Sequence, residues 1–274
     1  MVFDTELVGK IGSIALINRE NNDLDYNIFS RISKELKPGF VWVTSGAVEI
    51  GRLDFMKRNG YELEGDREDI KTDYSAQGQS VLMNTYREFI DPKYSVRQIL
   101  VEHNHFNDAS NREHLKNMIL RCKNQNAIPI INYNDAVSCE ENRKWEIEEL
   151  KHRSKKVVEC VDNDETASQI ALLVKAETLL ILSCMDGIYH DVKDNGSLIK
   201  EISGATPYEV VDNVTEIQKL CSGASRKGAN GAKAKLEYIK EPILQGTTVI
   251  IANSKYSIKK ILEGSVPRTY IGVR

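Results

Sequence analysis

Short apolar runs alternate along this chain with longer stretches whose apolar residues recur every three or four positions. Phe40 to Thr44 (FVWVT), Val96 to Val101, Ala127 to Asn132 (AIPIIN), Leu179 to Ser183 and Thr248 to Ala252 are nearly continuous in apolar residues. Runs of that length without polar alternation predict strands covered on both faces, as in a parallel sheet. Between them Leu24, Ile28, Ile32 and Leu36 fall on one face of a helix, as do Leu115, Ile119 and Cys122. Ile170, Leu173 and Val174 repeat the pattern beyond an acidic start at Asp164. This strand–helix–strand rhythm predicts an α/β fold, a three-layer α/β/α sandwich around a mainly parallel open sheet.

Two stretches break the rhythm. Arg52 to Lys71 is polar and punctuated by glycine, which predicts a surface loop or hairpin. Cys139 to Glu159 is dense in both charge signs, with Trp145, Ile147 and Leu150 interspersed, and reads as a solvated excursion with some helix. No repeat, low-complexity tract or linker divides the sequence, so residues 1–274 are expected to form one domain.

Composition removes classes without naming an activity. The chain is 41% apolar and 28% charged, which is globular composition. Its 37 Lys plus Arg against 40 Asp plus Glu give a net charge of −3. No nucleic-acid partner and no charge-held membrane surface are expected from that balance. A small anionic ligand stays open, because it needs only a local positive pocket. Cys122, Cys139, Cys160, Cys184 and Cys221 are scattered without a C-x-x-C pair, which suits reduced thiols rather than a disulfide framework or a zinc ribbon. The start MVFDTELVGK lacks an apolar signal region, and IALLVKAETLLIL is interrupted by Lys175, Glu177 and Thr178. A soluble, cytoplasmic protein with no membrane partner is expected.

P-loop, Rossmann and zincin motifs are absent from the sequence. Glu102-His103-Asn104-His105 places alternate residues on one strand face, but no third ligand follows at a defined spacing. A polar strand end is favoured there over a metal site, and no side chain is assigned as a metal ligand.

More chemistry sits just after the predicted strands, where open α/β sheets bind ligands. Lys10-Ile11-Gly12-Ser13 follows the first strand, Ser45-Gly46-Ala47 follows FVWVT, and Asn132-Tyr133-Asn134-Asp135 closes AIPII. Asp162-Asn163-Asp164 opens a helix, and Gly228-Ala229-Asn230-Gly231 leads into another that carries Lys233 and Lys235. Taken singly, a Ser-Gly pair is a turn and Asp-Asn-Asp an N-cap. Taken together, glycine loops, helix N-termini, lysines and carboxylates at one sheet edge are the parts of magnesium-assisted phosphoryl transfer.

These residues resemble those of a known family. KIGS, VTSGAVEIGR, GQS, IPIINYNDAV, DNDETAS, MDGIY and GANGAKAKL follow the motif order of the glutamate 5-kinases, within the amino acid kinase superfamily. The closing TTVIIANSKYSIKKILEGSVPRTYIGV is similar to their last strand, helix and turn, so the resemblance runs from about Lys10 to the end. It implies ATP-dependent phosphorylation of the γ-carboxylate of L-glutamate, the first step of proline biosynthesis, with Mg²⁺ accompanying ATP. By match to the motifs, Lys10 and Lys235 would neutralise the phosphoryl group in flight, and Asp164 would orient both. Backbone amides at Gly12, Ser13, Gly46 and Ala47 would cradle phosphates or the reacting carboxylate. Ser45, Asp135, Asp162 and Asn163 would hold glutamate, with Asn132 at the pocket wall. Ala229, Asn230, Gly231 and Lys235, with Ser183 and Cys184, would border ATP. The resemblance further implies a homo-oligomer, dimer or tetramer. It places acceptor binding before about residue 165 and nucleotide binding after it. The PUA domain of longer members is expected to be absent.

The chain departs from the family pattern in places. Ser183-Cys184 stands where the family has Thr-Asp, GANGA replaces G-T-G-G-M, and the stretch between Asp135 and Asp162 is longer than usual. Two further expectations therefore stay open: another carboxylate or small acid as acceptor, or a catalytically silent ligand-binding relative.

Overall fold

The computed structural model describes residues 2–138, 140–154, 156–160, 162–191, 193–221 and 231–274. Strand β1 (Thr5–Ile11) is followed by a hairpin of β2 (Ile17–Asn18) and β3 (Asp23–Leu24), then by α1 (Tyr26–Ser33). Next come β4 (Phe40–Val43), α2 (Ala47–Asn59), α3 (Arg67–Phe89), β5 (Ser95–Val101), the single turn α4 (Asn104–Asn107), α5 (Ala109–Asn124) and β6 (Ala127–Tyr133). The second half holds α6 (Glu140–Arg153), α7 (Asn163–Leu173), β7 (Ala176–Ser183), a hairpin of β8 (Ile188–Tyr189) and β9 (Leu198–Ile199), and β10 (Glu201–Gly204). It closes with α8 (Pro207–Leu220), α9 (Gly231–Tyr238), α10 (Lys240–Leu244), β11 (Thr248–Asn253), α11 (Ile258–Glu263) and β12 (Arg268–Val273).

Among the described residues the main sheet has eight strands in the order β10-β12-β11-β7-β1-β4-β6-β5. From β11 across to β5 every neighbouring pair is parallel, while β12 runs antiparallel to β11 and parallel to β10. Alternate strand residues feed opposite faces. Leu7, Trp42, Ile130 and Leu180 pack with α1, α2, α3 and α11 residues such as Phe29, Ile50, Leu82 and Ile261. Val8, Val43, Ile131 and Ile181 pack with Ile119, Ile170, Val210 and Leu236 on the other side. The result is the three-layer α/β/α sandwich that the periodicity predicts. Every residue of β4 and β6 is buried, which is why neither strand alternates apolar with polar.

The reading of Arg52 to Lys71 as a loop or hairpin is corrected. α2 continues to Asn59 and α3 begins at Arg67, leaving only the stretch 60–66 outside helix. Gly60, with φ 79°, ends α2, and the Asp66 carboxylate caps α3 by accepting from the Glu68 and Asp69 amides. The glycines inside this region, Gly60 and Gly65, have open space around them, and the two helices touch at glycines that flank it. A Cβ at Gly51 would overlap the Tyr74 carbonyl, and one at Gly78 would overlap the Ala47 carbonyl. The charged segment after Cys139, which itself lies outside the described residues, forms α6 as the excursion with some helix. Ile147 is its buried residue, Trp145 is exposed, and Glu146 Oε2 lies 3.0 Å from His103 Nε2.

Candidate active site

β1, β4, β6 and β7 are parallel neighbours or near neighbours, so their C-terminal ends open on one side of the sheet. Lys10 sits one residue before the end of β1, in register with Val43 of β4 and Ile181 of β7. It is 8% exposed, so its ammonium is held in a largely dry place and needs a counter-charge. Asp164 supplies it from the first turn of α7. The Asp162 carboxylate caps that helix, accepting from the Asp164 and Glu165 amides at 2.8 and 3.0 Å. The cap fixes the direction in which the next acidic side chain leaves the helix.

Asp164 divides its oxygens between two lysines. Oδ1 is 2.7 Å from Lys10 Nζ, and Oδ2 accepts from Lys235 Nζ at 2.5 Å. Burial alone would push this carboxyl up, but the charges and hydrogen bonds of Lys10 and Lys235 outweigh it and hold the group well below the usual carboxylate range. Two ammonium groups against one carboxylate leave a net positive charge at the mouth of β1.

A chain of polar side chains adjoins this triad. Asn163 Nδ2 donates to Ser45 Oγ at 3.0 Å and to Asn132 Oδ1 at 3.2 Å. Asn132 Nδ2 donates to Gln79 Oε1 at 2.8 Å, and both side chains are buried. The Tyr133 amide also donates to Asn132 Oδ1, at 2.9 Å, which fixes that amide's orientation. Gln79 Nε2 and Asn163 Oδ1 are buried with no hydrogen-bond partner. One donor and one acceptor are thus unpaired in one network. Beside Ser45, Gly46 adopts φ 106° and begins α2 without a side-chain cap, so the first amides of that helix stay available to an anion.

These contacts join strand-end lysine, helix-end carboxylate and amide network in an arrangement that can neutralise a transferring anionic group. The sequence profile of the amino acid kinase family matches residues 6–253. The chain belongs to that family. It is 30% identical to the glutamate 5-kinase of Alkaliphilus metalliredigens over 96% of this chain and 94% of the relative. It is 28% identical to the glutamate 5-kinase of Enterococcus faecalis, over 94% and 91%. Among solved structures, carbamate kinase from Giardia lamblia bound to AMP-PNP superposes with a TM-score of 0.60 at 15% identity, covering 98% of each chain. The isopentenyl phosphate kinase substrate complex gives 0.58 at 14% identity, over 98% of this chain and 100% of that one. These neighbours share the fold.

This candidate site gathers most of the residues singled out from the sequence. Lys10, Lys235, Asp164, Ser45, Asn132 and Asn163 meet through the bonds above, and Asp162 acts on the triad through its helix cap. Gly12 leads into the short helical turn Ser13–Leu16, and a Cβ there would point at Lys10 Nζ, 3.6 Å away. Asp135 pairs instead with Lys71 of α3, at 3.0 Å. At the nucleotide edge expected from the sequence, Ser183 Oγ turns back onto Met185, and the Cys184 carbonyl accepts from Asn253 Nδ2 at 3.0 Å. The carboxylate missing at Cys184 has a neighbour two residues on, Asp186, which pairs with Lys255 at 3.0 Å. Gly231 opens α9, whereas Ala229 and Asn230 lie outside the described residues.

Gln79 and Lys71 had no role in the sequence reading. Gln79 stands in the GQS motif, and its neighbour Gly78 is what brings α3 close enough to α2 for Gln79 to reach Asn132. His103 and His105 do not face a common ion: His103 meets Glu146, and His105 Nδ1 accepts from the Glu102 amide at 3.0 Å.

Proposed function

We propose that the chain transfers the γ-phosphoryl group of ATP to the γ-carboxylate of L-glutamate, giving L-glutamyl 5-phosphate and ADP. The observation that carries this reading is Asp164 holding Lys10 and Lys235 on separate oxygens beside the Ser45–Asn163–Asn132–Gln79 network. Similarity to glutamate 5-kinases along nearly the whole chain supports the choice of acceptor.

A carboxylate oxygen is already a nucleophile, so no general base is required. It bonds to the γ-phosphorus while the bond to the bridging oxygen of ADP breaks, and the enzyme's work is alignment and charge stabilisation. Lys10, at the floor, and Lys235, from the nucleotide half, are placed to offset charge on the oxygens of the transferring and leaving groups. Glutamate's acceptor oxygens and its ammonium would satisfy Gln79 Nε2 and Asn163 Oδ1 once those amides turn toward the pocket. Magnesium, bound with the nucleotide, would supply further charge neutralisation across the phosphates. Among the described residues no group of three or more His, Cys, Asp or Glu could hold a metal ion.

The test is trapping of the acyl phosphate by hydroxylamine with Mg-ATP and L-glutamate. Hydroxamate is expected with glutamate, and Lys235→Ala is expected to lower turnover on the order of 10²-fold, the scale of losing one transition-state electrostatic group. No product from any acid at saturating Mg-ATP would mean a silent ligand-binding relative. One contact favours a second reading: Lys71 occupies Asp135, one of the residues expected to hold glutamate. Turnover of a small acid lacking an amino group, with glutamate idle, would decide for that acceptor.

A further inference from the structure

The C-terminal end of α7, remote from Asp164, borders a cavity of about 730 Å³ that the kinase chemistry does not use. Phe106, Val158, Leu172, Leu173 and Leu244 give it an apolar floor. Its rim is cationic. Arg112 and Lys116 lie one turn apart on α5, where they share a face, and Lys175 stands just past α7. None of these three makes an ion pair among the described residues, and of the cavity's two carboxylates Glu241 keeps Oε2 buried without a hydrogen-bond partner. Glu241 holds Lys156 at 2.7 Å, and Glu113 Oε1 accepts from Asn117 Nδ2 at 2.9 Å.

We propose that this cavity is a second binding site, for a small organic anion with an apolar body. An inorganic ion would leave the apolar floor empty, and a neutral apolar molecule would make no use of the three cations at the rim. The volume lies in the range of small-molecule pockets. Arg112 supplies a planar fork suited to a carboxylate, sulfonate or phosphate head, and Lys116 and Lys175 supply point charges.

The same cavity is tied to Asp164 by covalent and hydrogen-bonded routes. Its wall includes Asn107 and Val158, which clasp each other: Asn107 Nδ2 donates to the Val158 carbonyl at 2.7 Å, and the Val158 amide donates to Asn107 Oδ1 at 2.9 Å. Four residues beyond Val158 the chain reaches the Asp162 cap. From Asp164 to Leu173, another wall residue, is about 13 Å of helix. Occupancy therefore stiffens both the segment that leads into the cap and the helix that carries the triad's carboxylate.

The probe for the test is 8-anilinonaphthalene-1-sulfonate, an aromatic anion, titrated by calorimetry and fluorescence into folded protein with Mg-ATP saturating. One probe per chain is expected. Arg112→Gln and Lys116→Gln should each weaken it by about tenfold or more, the effect of losing a charge-assisted hydrogen bond. Leu172→Trp should abolish binding by filling the floor. Unfolding midpoints that match the parent show that each variant is folded. Unchanged affinity and stoichiometry in all three variants would overturn the site. Hydrogen exchange at amides 158–166 is expected to slow on binding, and unchanged exchange there would overturn the link to Asp164. Neither readout uses turnover, so failure of the glutamate reading and failure of this one are distinguishable.

Discussion

At the scale of single residues, Asp164 does more than neutralise two lysines, because its two oxygens set their spacing. Asp164→Asn keeps the shape and leaves Lys10 and Lys235 to repel each other. We expect turnover to fall on the order of 10²-fold and stability by about 3 kcal/mol, as when one partner of a buried ion pair is removed. The pH dependence has a definite sign. A carboxyl held below its usual range stabilises the fold above that range, and the contribution fades on acidification as the unfolded chain takes up a proton that the folded one refuses. The difference in unfolding free energy between parent and Asp164→Asn should be flat from about pH 8 to about pH 5 and shrink below about pH 4. A difference that grows in acid would contradict the ion pairs. Lys10, Ser45, Asn132 and Asp164 were legible in the sequence because each ends or follows a strand or opens a helix, where the topology must deliver it to the ligand. Gln79 was not, since nothing in the spacing of a polar helix marks which amide is buried. Lys71 was not either, because its partner Asp135 is remote in sequence and pairing across elements leaves no local pattern.

At the scale of elements, α2 and α3 are joined through Gly51 and Gly78 rather than through large apolar side chains. Gly78→Ala gains helix propensity of about 1 kcal/mol but drives a methyl into the Ala47 carbonyl. The overlap should win, costing about 1–3 kcal/mol net, read as a lower urea midpoint. Because Gln79 is the next residue, the KM for the carboxylate acceptor should rise with kcat less affected. The contact between α2 and α3 also explains why their sequences gave little sign of helix. A close backbone crossing selects glycine, and much of the rest of α2 is charged, as in the Arg58–Asp54 pair at 2.8 Å and the Arg52–Glu49 pair at 2.7 Å. The strands, buried on both sides, carried their signal in consecutive apolar residues instead. α6 is the opposite case, since Ile147 is its buried anchor and His103–Glu146 its tether to β5's end. Ile147→Ala is expected to speed hydrogen exchange across residues 140–153 while leaving the global unfolding midpoint nearly unchanged. A large global loss would mean that α6 belongs to the core.

At the scale of the whole molecule, the net charge of −3 conceals positive charge at both ends of α7. Composition was silent on these local fields, which arise only when the sheet brings residues 10, 164 and 235 together. β1 lies in the middle of the sheet between β4 and β7, although it is the first strand made. Its β4 side is paired early, whereas its β7 side waits for Ala176 to Ser183. During synthesis that flank, with Leu7, Val8 and Ile11, stays an unpaired strand edge while roughly 165 more residues are added. At ordinary elongation rates the interval is about 8–33 s. A nascent chain of this protein therefore presents a sticky edge for chaperones to shield, and the lysine at its end can acquire its partner only once most of the polypeptide has left the ribosome.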